Sequence, residues 1–478
     1  MVQLERLKKE TIARDRSHAL IHNSSGTFED DQFKSLMPMV VAVVILRKKL
    51  IIMPVDCLFM LGNQLERFFH ATSHSFTTTK QYFSSLYHYF SLSESAIIKE
   101  IQIHLRRKNM ITTKTSMTLE QLNERTMQMM NQIGAKSPHA TGTDGRYDDL
   151  DVDWWTSGFY PGLLWLMHDM TGEVAYRDEA EGWSRRIEAA FEAHPIVLHH
   201  DVGFQFLLTA VMDYEQTGSE EGLRIGLKAA NYLAGRFNPA GSFIKAWNGS
   251  EKKGWAIIDC MMNISLLYWA SKVTGDPSYG QIASLHADTT LKYGVREDGS
   301  TSHILSFDPY DGSFIESIGG QGEASDSAWS RGNAWALYGF ANAYRHTGSE
   351  AYLSAAKKIA HHFIAALPAD FIPLWDFRCV DRTNPPKDSS AAAIAASGLL
   401  ELEEHVSVHE KHLYGEAARS ILTGLTTHAL TPAGSEAILT DATGHFPIGR
   451  DVSVSLIYGD YYFAEAIAKV NGWKRRIF

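Results

Sequence analysis

The stretch WSRGNAWALYGFANAYRHTGSEAYLSAAKKIAHHFIAAL, residues 329–367, holds two helical patterns joined at Thr347-Gly348. Before that pair, Trp, Leu, Phe, Ala and Tyr recur with small residues between them, as in a helix packed on both sides. After it, LSAAKKIAHHFIAAL alternates Lys and His with apolar positions, the pattern of a helix with one face in water. A glycine just past the last periodic residue is a helix stop. The unit is an inner helix, a tight turn and an outer helix.

Outward from it, the same turn recurs as TGEVAY from Thr171, TGSEEG from Thr217 and TGDPSY from Thr274. Apolar-rich segments precede each: WTSGFYPGLLWLMHDM, DVGFQFLLTAVMDYEQ and DCMMNISLLYWASKV. Amphipathic ones follow, such as RDEAEGWSRRIEAAF. The intervals of 46, 57 and 73 residues are too irregular for a short-period solenoid. They suit a closed ring of helical hairpins, an α/α barrel whose long connections lie at one rim. DSSAAAIAASGLLELEEH from Asp388 and SVSLIYGDYYFAEAIAKV from Ser453 supply two more hairpins. Strands are expected to be minor, because β-branched runs for a parallel sheet are missing.

The turn threonines also index the other end of each inner helix. Sixteen residues before Thr171 stands Trp155; sixteen before Thr217, Asp201; fifteen before Thr274, Asp259; and sixteen before Thr347, Arg331. Helices about 24 Å long place all four groups on one rim of the ring, at helix N-termini that favour anions.

Composition narrows the function classes. With 478 residues, 45% of them hydrophobic and 21% charged, the chain buries a large core. The formal charge of −10 divides unevenly: residues 1–116 hold 16 Lys+Arg against 10 Asp+Glu, whereas the remainder carries −16 and all eleven tryptophans. The folded body is therefore expected at 117–478, behind a poorly ordered or adventitious extension at 1–116. An acidic body argues against nucleic acid. In MPMVVAVVILRKKLIIMPVDCLFML, Arg47, Lys48 and Lys49 cut an apolar run short of the ~20 residues a spanning helix needs, so a membrane anchor is not expected. Cys57, Cys260 and Cys379 form neither a disulfide framework nor a zinc motif, and a cytoplasmic location is expected. Nucleotide, serine-hydrolase, zincin and Rossmann motifs are missing.

Asp259, in GWAIIDCMMNISLLYWA, is a carboxylate in an apolar run. It reads either as an N-cap, whose hydrogen bonds would lower its pKa, or as a general acid, whose pKa Ile257, Ile258, Met261 and Met262 would raise. Asp201 follows His199 and His200; a metal is not expected there, since adjacent side chains rarely meet at one ion. Two acids at equivalent places in neighbouring hairpins suit sugar chemistry, where environments drive two pKa values apart. Trp155 and Trp335, flanked by Gly and Ser, read either as core or as loop-edge rings that stack on a sugar. Trp247 and Trp255, without such a flank, read as core. Arg331 is a structural ion-pair partner or a fork for a substrate carboxylate. His303 and Gln321 lie in the longest insertion, a Gly- and Ser-rich loop region.

Taken in order, DWWTSGFYPGLLW, HHDVGFQF, WAIIDCMMNISLLYWA, SDSAWSRGNAWALYGFANAYRHTG, LWDF with DSSAAAIAASGLLEL, and SLIYGDYYFAEA resemble the unsaturated glucuronyl hydrolases of glycoside hydrolase family 88. The resemblance spans about residues 117–478 and implies an (α/α)6 barrel. It implies hydrolysis that frees a Δ4,5-unsaturated uronic acid from the non-reducing end of lyase-generated oligosaccharides of glycosaminoglycan type. The implied reaction hydrates the C4=C5 enol ether, needing an acid and a water-positioning base but neither cofactor nor metal. Position by position, Asp259 becomes the principal acid/base and Asp201 the second carboxylate. Trp155, His200, Trp247, His303, Gln321, Arg331 and Trp335 become substrate-binding residues, with Trp255 competing for the place of Trp247. Cys260 departs from the Asn of many relatives. The basic NGWKRRIF region falls where relatives help to read the second sugar and its sulfation. Alternatives are an unsaturated rhamnogalacturonyl hydrolase acting on pectin fragments, a sugar epimerase using His200 and His303, and a non-catalytic carbohydrate-binding protein.

Overall fold

The computed structural model describes residues 117–193, 197–380 and 383–478; the extension expected at 1–116, with its apolar run, lies outside the described residues. Helix α1 (Leu119–Ile133) precedes α2 (Phe159–Thr171), α3 (Val174–Ala180) and α4 (Trp183–Ala193). Next come α5 (Val202–Phe206), which runs through a π-helical segment (Leu207–Val211) into α6 (Met212–Thr217), then α7 (Glu220–Ala234). They are followed by α8 (Cys260–Asn263), α9 (Ser265–Thr274), α10 (Pro277–Gly294), α11 (Ser330–Thr347) and α12 (Glu350–Ala366). Helices α13 (Ser389–His405), α14 (Lys411–His428) and α15 (Ile457–Val470) complete the chain.

Burial sorts these helices into two concentric layers. Helix α11 is buried continuously from Ser330 to Ala343, and α13 from Ser389 to Leu402. Helix α12 buries only the stripe of Tyr352, Leu353, Ala355, Ala356, Ile359, Ala360 and Phe363, the spacing of a helix with one face in water. The inner layer runs α2, α5–α6, α8–α9, α11, α13 and α15, and α15 packs back on α2 to close the ring. With α1, α3–α4, α7, α10, α12 and α14 outside, six hairpins form the α/α barrel that the turn repeat predicts.

Each turn is made the same way. Thr171, Thr217, Thr274 and Thr347 donate from Oγ1 to the carbonyl four residues back, at 2.7 Å in all four cases. The same oxygen accepts the N–H two residues on, at 3.1–3.2 Å. Gly172, Gly218, Gly275 and Gly348 then take φ of 75°, 76°, 74° and 69°, left-handed angles that a Cβ makes costly. Unlike the single outer helix expected from RDEAEGWSRRIEAAF, α3 and α4 are separate, with Gly182 at φ 88° between them.

Strands are short and lie on the connections that lead from an outer helix to the next inner one. They are β1 (Phe237–Asn238) with β2 (Phe243–Ile244); β3 (Trp255–Ile257), β4 (Ile304–Phe307) and β5 (Phe314–Ile318) in one antiparallel sheet; and β6 (Ala442–His445) with β7 (Arg450–Val454). The insertion at 295–329, expected as loop, contains the β4–β5 hairpin. It pairs Ile304 with Ile257, and the His303 carbonyl accepts the Ile258 N–H at 3.0 Å. That pairing brings His303 beside the start of α8.

Candidate active site

Asp201 and Asp259 occupy the N-cap positions of α5 and α8, on the rim opposite the threonine turns. Neither carboxylate caps its own helix. The capping alternative for the Asp259 side chain therefore does not hold: its buried Oδ1 has no hydrogen-bond partner among the described residues. Asn263, one turn further along on α8, takes over at α5. Its Oδ1 accepts the Phe204 N–H at 2.8 Å, while Nδ2 donates to Asp201 Oδ1 at 3.1 Å and to the Asp259 carbonyl at 3.3 Å. The sequence reading missed Asn263. Its one signal is the i, i+4 spacing from Asp259 on an inner helix.

Environment drives the two acids apart. Burial pushes the Asp259 carboxyl up to about 7, with the Asp201 charge adding to the rise and His200 and Arg331 opposing it. Burial would push Asp201 up as well, but His200, His199 and the Asn263 amide outweigh it and hold this carboxyl below its ordinary value. At neutral pH one acid is ionised and the other is near its midpoint. The two histidines converge on Asp201 despite being adjacent in sequence: His200 Nε2 lies 3.2 Å from Oδ1 and His199 Nδ1 3.3 Å from Oδ2. All three groups fall within 4.8 Å of one another, against the expectation that neighbouring side chains do not meet. Burial holds His199 down at about 4, which keeps its imidazole neutral. Cys260, fully buried behind Asp259, has its thiol pushed up by burial and adds no charge to the site.

The other expected residues divide into those at the opening and those behind it. Trp155 is half-buried at the rim and packs against His139, Phe204 and Tyr458. Trp247 stands edge-on to both His200 (6.0 Å) and His303 (6.2 Å), whereas Trp255 meets Trp247 (6.2 Å) one ring further out, so Trp247 is the ring beside the acids. Lys252, unnoticed in the sequence, lies over both tryptophans at 5.5 and 5.8 Å. His303 is buried and held down at about 3 by that burial. Its Nδ1 lies 3.3 Å from the Gly319 carbonyl and 2.8 Å from the Gln321 N–H; the shorter contact comes from a group that can only donate, so in the neutral ring Nδ1 accepts and the proton sits on Nε2, a buried atom with no partner among the described residues.

Arg331 takes the structural role. Its Nη1 donates to Asp388 Oδ2 and the Thr443 carbonyl, and its Nη2 to the Gly444 carbonyl (2.6 Å) and Gln321 Oε1 (2.7 Å). The fork expected for a substrate carboxylate is thus engaged within the protein. Trp335, 1% exposed between Phe204 and Tyr462, is core rather than a stacking surface, because α11 turns it into the barrel. His200 is likewise fully buried and borders the site through Asp201. The basic NGWKRRIF region lies at the other rim: Arg475 pairs with Asp169 (2.9 Å), Arg476 with Glu401 (2.7 Å) and Lys474 with Glu404 (3.5 Å). These acids sit near the ends of α2 and α13, so the cations neutralise helix C-termini instead of facing the two aspartates.

Residues 118–478 match Glycosyl Hydrolase Family 88. The chain is 34% identical to the unsaturated glucuronyl hydrolase of Bacillus sp. (strain GL1) over 353 residues, 72% of this chain and 94% of the relative. It is 33% identical to the unsaturated chondroitin disaccharide hydrolase of Streptococcus pneumoniae (strain ATCC BAA-255 / R6), covering 68% and 84% of the two chains. The crystal structure of the Bacillus sp. GL1 enzyme, described as responsible for the degradation of glycosaminoglycan, superposes with a TM-score of 0.69 at 33% identity over 73% of this chain and 95% of that one.

Proposed function

The chain belongs to glycosyl hydrolase family 88 and is a glycosidase; we propose that it releases Δ4,5-unsaturated uronic acid from the non-reducing end of lyase-generated, glycosaminoglycan-type oligosaccharides. The observation that carries this reading is the pair of aspartates on neighbouring inner helices, one held ionised and one pushed up to about 7. An enol ether is hydrated by just such a division of labour. Protonated Asp259 delivers its proton to C4, and positive charge develops at C5 and the ring oxygen. Water adds to C5 as the ionised Asp259 takes its proton, with Asp201 orienting it. The resulting hemiketal opens and expels the second sugar. Each cycle returns Asp259 to the protonated form.

The surrounding groups fit an anionic ring. Trp155 and Trp247 offer apolar faces at the opening, and His303 offers an Nε2–H donor. Membership of the family disfavours the pectin alternative, and the aspartate pair fits a histidine-based epimerase poorly. We also propose a cytoplasmic location: a reducing compartment suits Cys260, a buried thiol beside Asp259.

Loss of the C4=C5 ultraviolet absorbance tests the reading, with unsaturated chondroitin, heparin and rhamnogalacturonan disaccharides offered separately. Wild type bleaches at least one of the first two, and Asp259→Asn and Asp201→Asn each lose at least about a thousandfold in kcat. Bleaching of the rhamnogalacturonan disaccharide alone would move the assignment to pectin fragments. Full activity of Asp259→Asn would remove the mechanism.

A further inference from the structure

Resting on the reading of Asp201 and Asp259 as the working acids, we propose that Asn263 is a positioning residue that caps α5 in place of Asp201 and so keeps the Asp201 carboxylate aimed into the site.

An aspartate at an N-cap ordinarily turns its carboxylate back onto the N–H of the second or third helical residue. In α5 the third of these is Phe204, and its N–H goes to Asn263 Oδ1 instead. The donor bond that would pull Asp201 out of the site is thus already used. The amide orientation is unambiguous. Phe204 N–H can only donate, so the atom facing it is the oxygen, and the NH2 group must face Asp201 Oδ1 and the Asp259 carbonyl, both acceptors. Asn263 is fully buried, and Gly203 is what lets it come this close: a Cβ there would lie 2.5 Å from both Asn263 Cα and Oδ1. One amide ties the start of α5 to the first turn of α8, and with it the two acids to each other.

Charged and titratable groups face this pair from several elements. His199 and His200 lie on the segment of Asp201 itself, Arg236 on the turn after α7, and Asp259 and Cys260 at α8. Arg331 on α11 acts on Asp259, while His200 in turn acts on His286 of α10 and on His303 beside β4. Asn263 contributes the amide N–H donated directly to Asp201.

Asn263→Asp retains an acceptor for the Phe204 N–H but replaces the donor to Asp201 by a second carboxyl oxygen. One proton must then be shared across that contact. The acid limb of the kcat/KM profile is expected to move up by about one pH unit or more, and kcat at neutral pH to fall at least about tenfold, with KM within about threefold. Gly203→Ala pushes Asn263 away from the helix start without changing the chemistry of either residue, and the same limb is expected to move by a fraction of a unit or more. A second variant thus reports even where the first folds poorly. Both profiles coinciding with wild type, with activity lost only in proportion to melting temperature, would overturn the proposal and leave the assigned reaction standing. An inactive wild type would overturn both.

Discussion

Asp259→Asn removes a titration that the fold opposes, and the consequence should appear in stability as well as in catalysis. Burial raises this carboxyl from 3.8 to about 7. Between about pH 4 and pH 7 the folded protein holds a proton that the unfolded chain has released, so stability falls as pH rises through that window. Below it none of the cost is present, and above it all of it is. Three pH units at about 1.36 kcal/mol each set a ceiling of about 4 kcal/mol. Because Asp259 is only half-buried, solvent trims this to about 2–4 kcal/mol. For a folded body of about 360 residues, with an unfolding entropy of about 2.1 cal/mol/K per residue, that equals roughly 3–5 °C in melting temperature. At pH 5 little more than a third of the cost has developed. The melting temperature of the variant relative to wild type should therefore climb by about 2–3 °C between pH 5 and pH 8.5, read by scanning calorimetry at matched ionic strength. The amide itself adds an offset, but the same one at both pH values. A gap that stays constant or narrows toward alkaline pH would refute the argument that burial keeps a proton on Asp259.

Two further outcomes follow from other parts of the ring. Arg331→Met leaves Asp388, which is 0% exposed, without its cation, and should cost about 3–5 kcal/mol in urea unfolding at neutral pH. Gly348→Ala puts a Cβ on a residue at φ 69° and should cost about 1 kcal/mol by the same measurement, with kcat unchanged because that turn lies at the rim away from the acids.

The barrel was legible because its joints are local. A threonine whose hydroxyl closes the helix end, followed by a left-handed glycine, is written in adjacent letters, and inner helices of nearly equal length let a count back from Thr217 and Thr274 land on Asp201 and Asp259. What escaped depends on partners far along the chain. Arg331 stayed open between ion-pair partner and substrate fork because Asp388, Thr443 and Gly444 lie 57 to 113 residues away. Trp335 looked like a loop-edge ring because a glycine-rich flank does not reveal that α11 is already turning inward. The resemblance places Lys474, Arg475 and Arg476 where a second sugar is read, whereas their carboxylate partners hold them at the other rim. Asn263 is a small amide whose importance exists only where two hairpins cross. The β4 and β5 strands, four and five residues long and separated by DPYDGS, lack the alternation that would have announced them.

The four threonine turns also say something about how such a molecule can change. The interval from Thr274 to Thr347 exceeds that from Thr171 to Thr217 by 27 residues, and the longer interval carries the β4–β5 hairpin at the end that holds the aspartates. The hydroxyl-to-carbonyl bond that closes the turn is 2.7 Å in every copy regardless. Growth at one end has left the hinge at the other untouched. A ring built this way separates its heritable joinery from its variable mouth: loops around the acids are free to lengthen, be exchanged or be redesigned for another sugar, while the fastening that closes four of the six hairpins stays the same.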